Sequence, residues 1–364
     1  MTDRSLLADA IAGFLDARCT PDDVAEIEAG RDPAPLWAEL EELGFTLVAV
    51  SEEAGGAGGS LVDALTVLRS AGRHAVPLPL AETGLLAAWI LEAAGLPVVA
   101  GRATVAPVRT EDAFTLRRDG DGAIVSGRAL RVPWARAAER IVVLAAGDDG
   151  RAYAATVAPA AARITAGASL AGEPRDALAL DGVRLGPDAF APVDLTFDDV
   201  LLRGALGRAV LMLGALERVR DLTVAWSKDR EQFGRPIARF QAVQHLLAQM
   251  ARDVALTRAA VELAAAAAGE EDGGGWLEVA AAKVVAGRAA RTVTAQAHQV
   301  HGAIGMTREY SLTVLTRRLW AWRDEFGSEA EWSRRIAARL DESEGGVWAL
   351  VTAGRLPLAT ARTA

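Results

Sequence analysis

Asp229-Arg230-Glu231-Gln232-Phe233-Gly234-Arg235-Pro236-Ile237 separates two long apolar-periodic segments, and its reading decides how the chain is laid out. Upstream, Val200 to Lys228 repeats apolar residues at three- and four-residue intervals, and downstream Phe240 to Ala268 does the same. Arg230 therefore ends a helix, Gly234 permits a turn with positive φ, Pro236 blocks helical continuation and Phe240 opens the next helix. A guanidinium fixed at such a corner can hold a pyrophosphate through paired hydrogen bonds, or it can cap the helix in a surface salt bridge.

Outward from this corner the helical period continues through Trp276 to about Gln299 and Arg308 to Trp322, so residues 198–364 predict a four-helix bundle. Gly269 to Gly275 reads as a surface turn between two of these helices, since no Gly-Lys-Ser/Thr follows it. Residues 101–197 follow a different pattern. Short runs such as Ala123 to Val125, Arg140 to Ala145 and Ala152 to Val157 are punctuated by Asp119-Gly120-Asp121-Gly122 and Gly147-Asp148-Asp149-Gly150. These are hairpin signals and predict a compact antiparallel β-domain. Residues 1–100 return to three- and four-residue spacing, as in Leu7, Ile11 and Leu15, with Thr20-Pro21-Asp22 supplying a helix start. The fold class is mainly α with an inserted β-domain.

Composition supports this. Of 364 residues, 51% are apolar and only 5% aromatic, with Ala, Leu and Val dominant, which favours packed helices over a β-sandwich. A formal charge of −9 with dispersed basic residues argues against a nucleic-acid partner. Cys19 is the only cysteine, so no intrachain disulfide can form and no zinc-type ligand set can be assembled; a metal site is not expected. Asp3, Asp9 and Asp16 interrupt the N-terminal apolar positions, unlike a signal peptide, and the apolar stretch Ala209 to Leu216 is too short for membrane insertion. A cytoplasmic protein is expected.

A second motif, Gln299-Val300-His301-Gly302-Ala303-Ile304-Gly305-Met306-Thr307-Arg308-Glu309-Tyr310, places two glycines where the backbone can approach a flat or charged group. Gln299 adds a donor and an acceptor one turn earlier. His245, His298 and His301 lie near the two motifs, but none is part of a catalytic triad. Trp320 and Trp322 are expected to serve packing rather than ring stacking on a cofactor.

Together, in this order and on these elements, the two motifs resemble the FAD-binding signatures of the acyl-CoA dehydrogenase family, and the resemblance runs through essentially the whole chain. It implies FAD as cofactor, an acyl-CoA thioester as substrate, and a homo- or hetero-oligomer with FAD at a subunit interface. Arg230, Gln232 and Phe233 would hold the FAD of a neighbouring subunit, with Ile237 and Gln241 lining the same groove. Gln299, Gly302 and Ala303 would contact adenine and ribose, Ala303 standing where the family more often has Gly, and Ser328 is a further FAD contact.

The reaction such proteins perform needs a carboxylate to remove the α-proton while hydride leaves the β-carbon. Counting from Glu309-Tyr310, the resemblance puts that base at Phe326, within Glu325-Phe326-Gly327-Ser328; Glu325 is adjacent and is the candidate for a displaced base. One residue of displacement in a helix turns a side chain by roughly 100°. Some family members carry the base on the helix before the arginine motif, a position that falls near Gly204, flanked by Arg203 and Ala205. The family's flavin loop also has no clear counterpart around Pro107 to Thr115 or Val132 to Ala135. A chain that keeps the FAD motifs and lacks the base resembles the partner subunits of heteromeric acyl-CoA dehydrogenases in actinobacterial steroid side-chain breakdown. Three readings follow: FAD-dependent α,β-dehydrogenation of an acyl-CoA by this chain, a non-catalytic subunit that completes the FAD groove, and a flavin monooxygenase or oxidase on the same fold.

Overall fold

Helices open the chain: α1 (Asp3–Arg18), α2 (Pro21–Glu28), α3 (Ala34–Glu42) and α4 (Leu61–Arg73). The computed structural model describes residues 3–98, 100–269, 275–307, 310–342 and 346–353. Thr20 accepts a hydrogen bond from the Asp23 N–H, the Asp23 carboxylate answers to the Thr20 N–H, and Pro21 takes the first helical position. Ser60 and Asp63 repeat the device at α4. A π-helical segment, Ala81–Ala87, runs into α5 (Ala88–Ala93). Within it the Thr83 hydroxyl donates to the Ala103 carbonyl and accepts from the Ala103 N–H, both at 3.0 Å, tying the first helices to the sheet.

The strands are β1 (Ala103–Ala106), β2 (Ala113–Asp119), β3 (Gly122–Pro133), β4 (Arg140–Gly147), β5 (Ala152–Val157), β6 (Arg163–Thr165), β7 (Arg175–Leu185) and β8 (Phe190–Pro192). Among the described residues they form one sheet, ordered β6-β7-β3-β2-β4-β5-β8, with β1 also paired to β4. The Asp-Gly clusters turn the β2–β3 and β4–β5 hairpins, where Asp119 pairs with Gly122 and Ala146 with Ala152. The sheet is not wholly antiparallel. β1 lies parallel to Arg140–Val143 and β2 parallel to Ala146–Gly147, sharing β4 between them. The reason is that β4 is reached from β3 by a longer connection, which can enter the sheet parallel to its neighbour, whereas a tight hairpin cannot.

The Thr196–Asp199 capping box starts α6 (Phe197–Asp229), the central helix, which packs against α4, α7 (Gln241–Ala268), α8 (Trp276–His301) and α9 (Leu312–Asp324). At Gly214 a Cβ would run into the Arg69 carbonyl of α4, so this glycine sets how closely the two helices approach. The four helices read from the sequence form, and two more follow them. Ser328 accepts from the Glu331 N–H and starts α10 (Glu329–Asp341), which packs on α8. A final helix, α11, spans Gly346–Ala353. The Gly269–Gly275 turn lies largely outside the described residues.

Candidate functional site

At the arginine corner, Arg230 closes α6, its N–H donating to the Trp226 carbonyl at 2.9 Å, and its carbonyl accepts from the Ile237 N–H at 2.8 Å. Glu231–Gln232 and Arg235–Pro236 pair as β9 and β10 around Phe233 and Gly234, whose φ values of 54° and 76° are those of a primed hairpin turn. The turn pushes Phe233 outward until it is 93% exposed, its ring edge-on to Phe240. Arg230 forms no ion pair among the described residues. Its guanidinium lies 6.0 Å from the centre of the Trp226 ring, so the salt-bridged cap is not the arrangement found.

Beside this hairpin, Gln232, Phe233, Ile237, Phe240, Val243 and Gln299 line an open groove of about 290 Å³. It brings the first motif, on the hairpin and α7, against the second, at the end of α8. Gln241 is the first residue of α7. Gly302 follows α8 with φ 67° and ψ −146°, a conformation open to glycine, and nothing lies within 4 Å of where its Cβ would be. Ala303 is exposed beside it, and Arg308 and Glu309 lie outside the described residues. The Arg230 guanidinium, the Gly302 backbone and the buried Trp226 indole N–H, both side chains without a polar partner among the described residues, all suit a phosphate-bearing ligand laid along this face. Ser328 belongs elsewhere: it caps α10 and lines a cavity of about 220 Å³ with Arg109, Arg131, Leu201 and Phe326.

Both positions at which the resemblance expects the base are apolar, and they touch. Phe326, with φ 51°, is buried, and its ring fills the space where a side chain at Gly204 would stand. The Trp332 indole donates to the Phe326 carbonyl at 2.9 Å, and a Cβ at Gly327 would collide with that indole, which fixes the turn. Lys283, fully buried, donates to the carbonyls of Arg323 at 2.7 Å and Gly327 at 2.8 Å. Burial lowers its pKa to about 7, against the pull of nearby Glu325.

Glu325 does not sit as a displaced base. Glu325 lines the Phe326 cavity, but its side chain, 9% exposed, accepts from Arg175 Nε at 2.7 Å and Arg208 Nε at 2.7 Å. Burial alone would raise its pKa; the two guanidinium groups overcome this and hold it at about 2. A carboxylate that weakly basic, with both oxygens engaged, is poorly suited to removing a carbon-bound proton. The contacts continue on both sides. Arg208 also pairs with Glu82 of the π-helical segment, and Arg175 with Glu173, which lies 3.0 Å from Arg318; Arg318 reaches Glu28 at 2.7 Å. A buried chain of alternating charge thus joins the first helices, the sheet and the bundle.

Arg208 and Lys283 carried a signal in the sequence: each is a lone charge in an apolar run, Gly204 to Leu216 and Val279 to Ala286. Their partners carried none. Among the described residues no three His, Cys, Asp or Glu side chains are placed to hold a metal ion, and no helix is long and apolar enough to cross a membrane.

Helical regions before and after a sheet domain, with a surface groove between a hairpin and a helix end, are the architecture on which the comparisons with known proteins bear. The chain matches the family models for the acyl-CoA dehydrogenase N-terminal domain over residues 2–97 and C-terminal domain over residues 197–340. It is 30% identical to acyl-CoA dehydrogenase IpdE2 of Mycobacterium tuberculosis over 94% of this chain and 98% of that one. It is 29% identical to IpdE2 of Mycolicibacterium smegmatis over 93% and 99%. Among solved structures, a chain of the ChsE4-ChsE5 complex from Mycobacterium tuberculosis superposes with a TM-score of 0.86 at 25% identity, covering 94% of this chain and 99% of that one. The Tcur3481-Tcur3483 steroid ACAD gives 0.84 at 26% identity, covering 93% and 98%. The chain belongs to the acyl-CoA dehydrogenase family, whose members are FAD-dependent flavoproteins acting on the CH–CH group of acyl-CoA thioesters.

Proposed function

We propose that this chain serves FAD-dependent α,β-dehydrogenation of an acyl-CoA as the non-catalytic subunit of a cytoplasmic heteromeric acyl-CoA dehydrogenase, completing a FAD groove whose base comes from its partner. The observation that carries this reading is the contact between Phe326 and Gly204, which fills both base positions with apolar matter, while Glu325 is committed to Arg175 and Arg208. The likeness to the two-component complexes supports a paralogous partner, and the likeness to the steroid ACAD supports a steroid-derived acyl group.

Bound across the interface, FAD would supply the flavin ring that accepts hydride from the acyl β-carbon. The work of this chain is to hold it. Arg230 offers paired donors to the pyrophosphate, Gln232, Phe233 and Ile237 wall the groove with Gln241 next to it at the start of α7, and Gln299, Gly302 and Ala303 present polar and backbone groups to the adenosine end. Ser328, whose oxygen accepts from the Glu331 N–H, lines the separate 220 Å³ cavity and would be a further cofactor contact from there.

The test is to express the chain alone and together with a neighbouring dehydrogenase-like protein, then measure bound FAD and acyl-CoA-dependent flavin bleaching. FAD retained, and bleached, only by the mixture is the expected result. Bleaching by the lone chain that disappears in Glu325→Gln would overturn it.

A further inference from the structure

The two FAD motifs are not independent features of the surface, because three rings connect them. Trp226 stands one turn before Arg230 on α6, His301 is the last residue of α8, and Tyr310 precedes α9. The Trp226 and His301 rings stack 5.6 Å apart at 15°, and Tyr310 sets its edge against Trp226 at 5.8 Å and tilts over His301 at 5.0 Å. Trp226 also has the Arg230 guanidinium 6.0 Å from its ring centre, and among the described residues Arg230 pairs with no acid.

The hydrogen bonds of His301 fix its tautomer. Nδ1 lies 2.8 Å from the Ala297 carbonyl, which can only accept, so Nδ1 carries the proton. In a neutral imidazole Nε2 is then an acceptor, and the Tyr310 hydroxyl, 3.2 Å away, donates to it. Burial lowers the His301 pKa and favours this neutral form. The next residue is Gly302, and the chain then folds back so closely that a Cβ at Gly305 would strike the His301 Cβ. The ring that supports Trp226 is therefore the ring from which the Gly302–Ala303 turn departs.

We propose that Trp226, His301 and Tyr310 are positioning residues for FAD, coupling Arg230 at the end of α6 to the Gly302–Ala303 turn at the end of α8 so that the two motifs bind as one unit. The proposal rests on the reading that this face takes FAD. Tyr310→Phe deletes only the hydroxyl that orients His301, and His301→Phe keeps a ring but removes both hydrogen bonds. The loss of one buried hydrogen bond corresponds to roughly a tenfold change in an equilibrium constant.

The experiment titrates FAD into the deflavinated complex of this chain with its partner, for the wild type, Tyr310→Phe, Arg230→Ala and the double variant, with melting of the FAD-free complex as control. Each single change is expected to weaken FAD binding about tenfold, and the double variant is expected to lose clearly less than the product, because both act through Trp226. His301→Gln, which keeps an acceptor for Tyr310, is expected to bind FAD more tightly than His301→Phe. Unchanged FAD affinity in Tyr310→Phe, or losses that multiply in full in the double variant, would overturn the coupling. A wild-type complex that binds no FAD would instead overturn the cofactor reading beneath it.

Discussion

Arg208 donates from Nε to Glu325 at 2.7 Å and with its other arm to Glu82, so one buried guanidinium bridges two carboxylates from different parts of the chain. Replacing Glu325 by Gln removes the carboxylate that Arg175 and Arg208 share, leaving each only its second partner, Glu173 and Glu82, where water cannot make up the difference. Breaking a buried pair in this way costs about 3–5 kcal/mol. Urea unfolding of the Glu325→Gln variant at neutral pH is expected to show that loss, while the lone chain gains and loses no bleaching activity.

The same carboxylate sets an acid limb in the stability curve. Its folded pKa of about 2 lies below the ordinary 4.5, so the stability it contributes is present above about pH 4.5 and is lost as pH falls towards 2. A shift of this size corresponds to about 3 kcal/mol. Melting measured from pH 6 down to pH 2 is expected to fall steeply for the wild type and more gently for Glu325→Gln; parallel curves would show that the ion pairs do not govern acid unfolding.

Lys283 behaves in the opposite range. With a folded pKa lowered to about 7 from 10.5, it disfavours the folded state at neutral pH, and stability from this group rises as pH climbs from 7 towards 10.5. Lys283→Met removes two hydrogen bonds to the Arg323 and Gly327 carbonyls, a loss of about 1–3 kcal/mol, and also removes that alkaline rise. Chemical denaturation at pH 7 and pH 10 reads both effects.

Arg230→Ala is expected to leave the fold intact, since the side chain is exposed and makes no ion pair among the described residues; surface changes of this kind stay within about 0.5 kcal/mol. FAD affinity of the complex is expected to fall at least about tenfold, with a weaker dependence on salt. Equal affinity in the variant would remove Arg230 from the cofactor site.

Gly204→Ala drives a methyl into the Phe326 ring, and overpacking of that kind costs about 1–3 kcal/mol or more. Phe326→Ala leaves a cavity worth about 3–5 kcal/mol. The double variant is expected to be more stable than the sum of the two losses predicts, because the methyl enters the space the ring vacates. Additive unfolding energies would mean that the two positions do not compete.

What the sequence made legible was local. Gly234 and Pro236 mark the arginine corner because each acts on its own backbone, and the apolar residue at 326 follows from counting along one segment. Ser328 was read through the resemblance as a cofactor contact, although Ser328-Glu329-Ala330-Glu331 is itself a helix-start pattern and forms one. The fate of Glu325 could not be read this way. Its partners are 150 and 117 residues away, on β7 and α6, and meet it only once those elements and the turn after α9 come together in the fold. The aromatic link between the motifs was hidden for the same reason, since Trp226 and His301 are neighbours only once α6 and α8 pack.

The interlock of Phe326 with Gly204 also constrains descent. A carboxylate placed at 204 by one substitution collides with the Phe326 ring, so that position needs two changes together; one placed at 326 lies beside Arg208, whose guanidinium faces the Phe326 ring at 5.1 Å and would lower its basicity. Under the two-chain reading proposed above, this interlock would act as a ratchet that keeps the base on the partner.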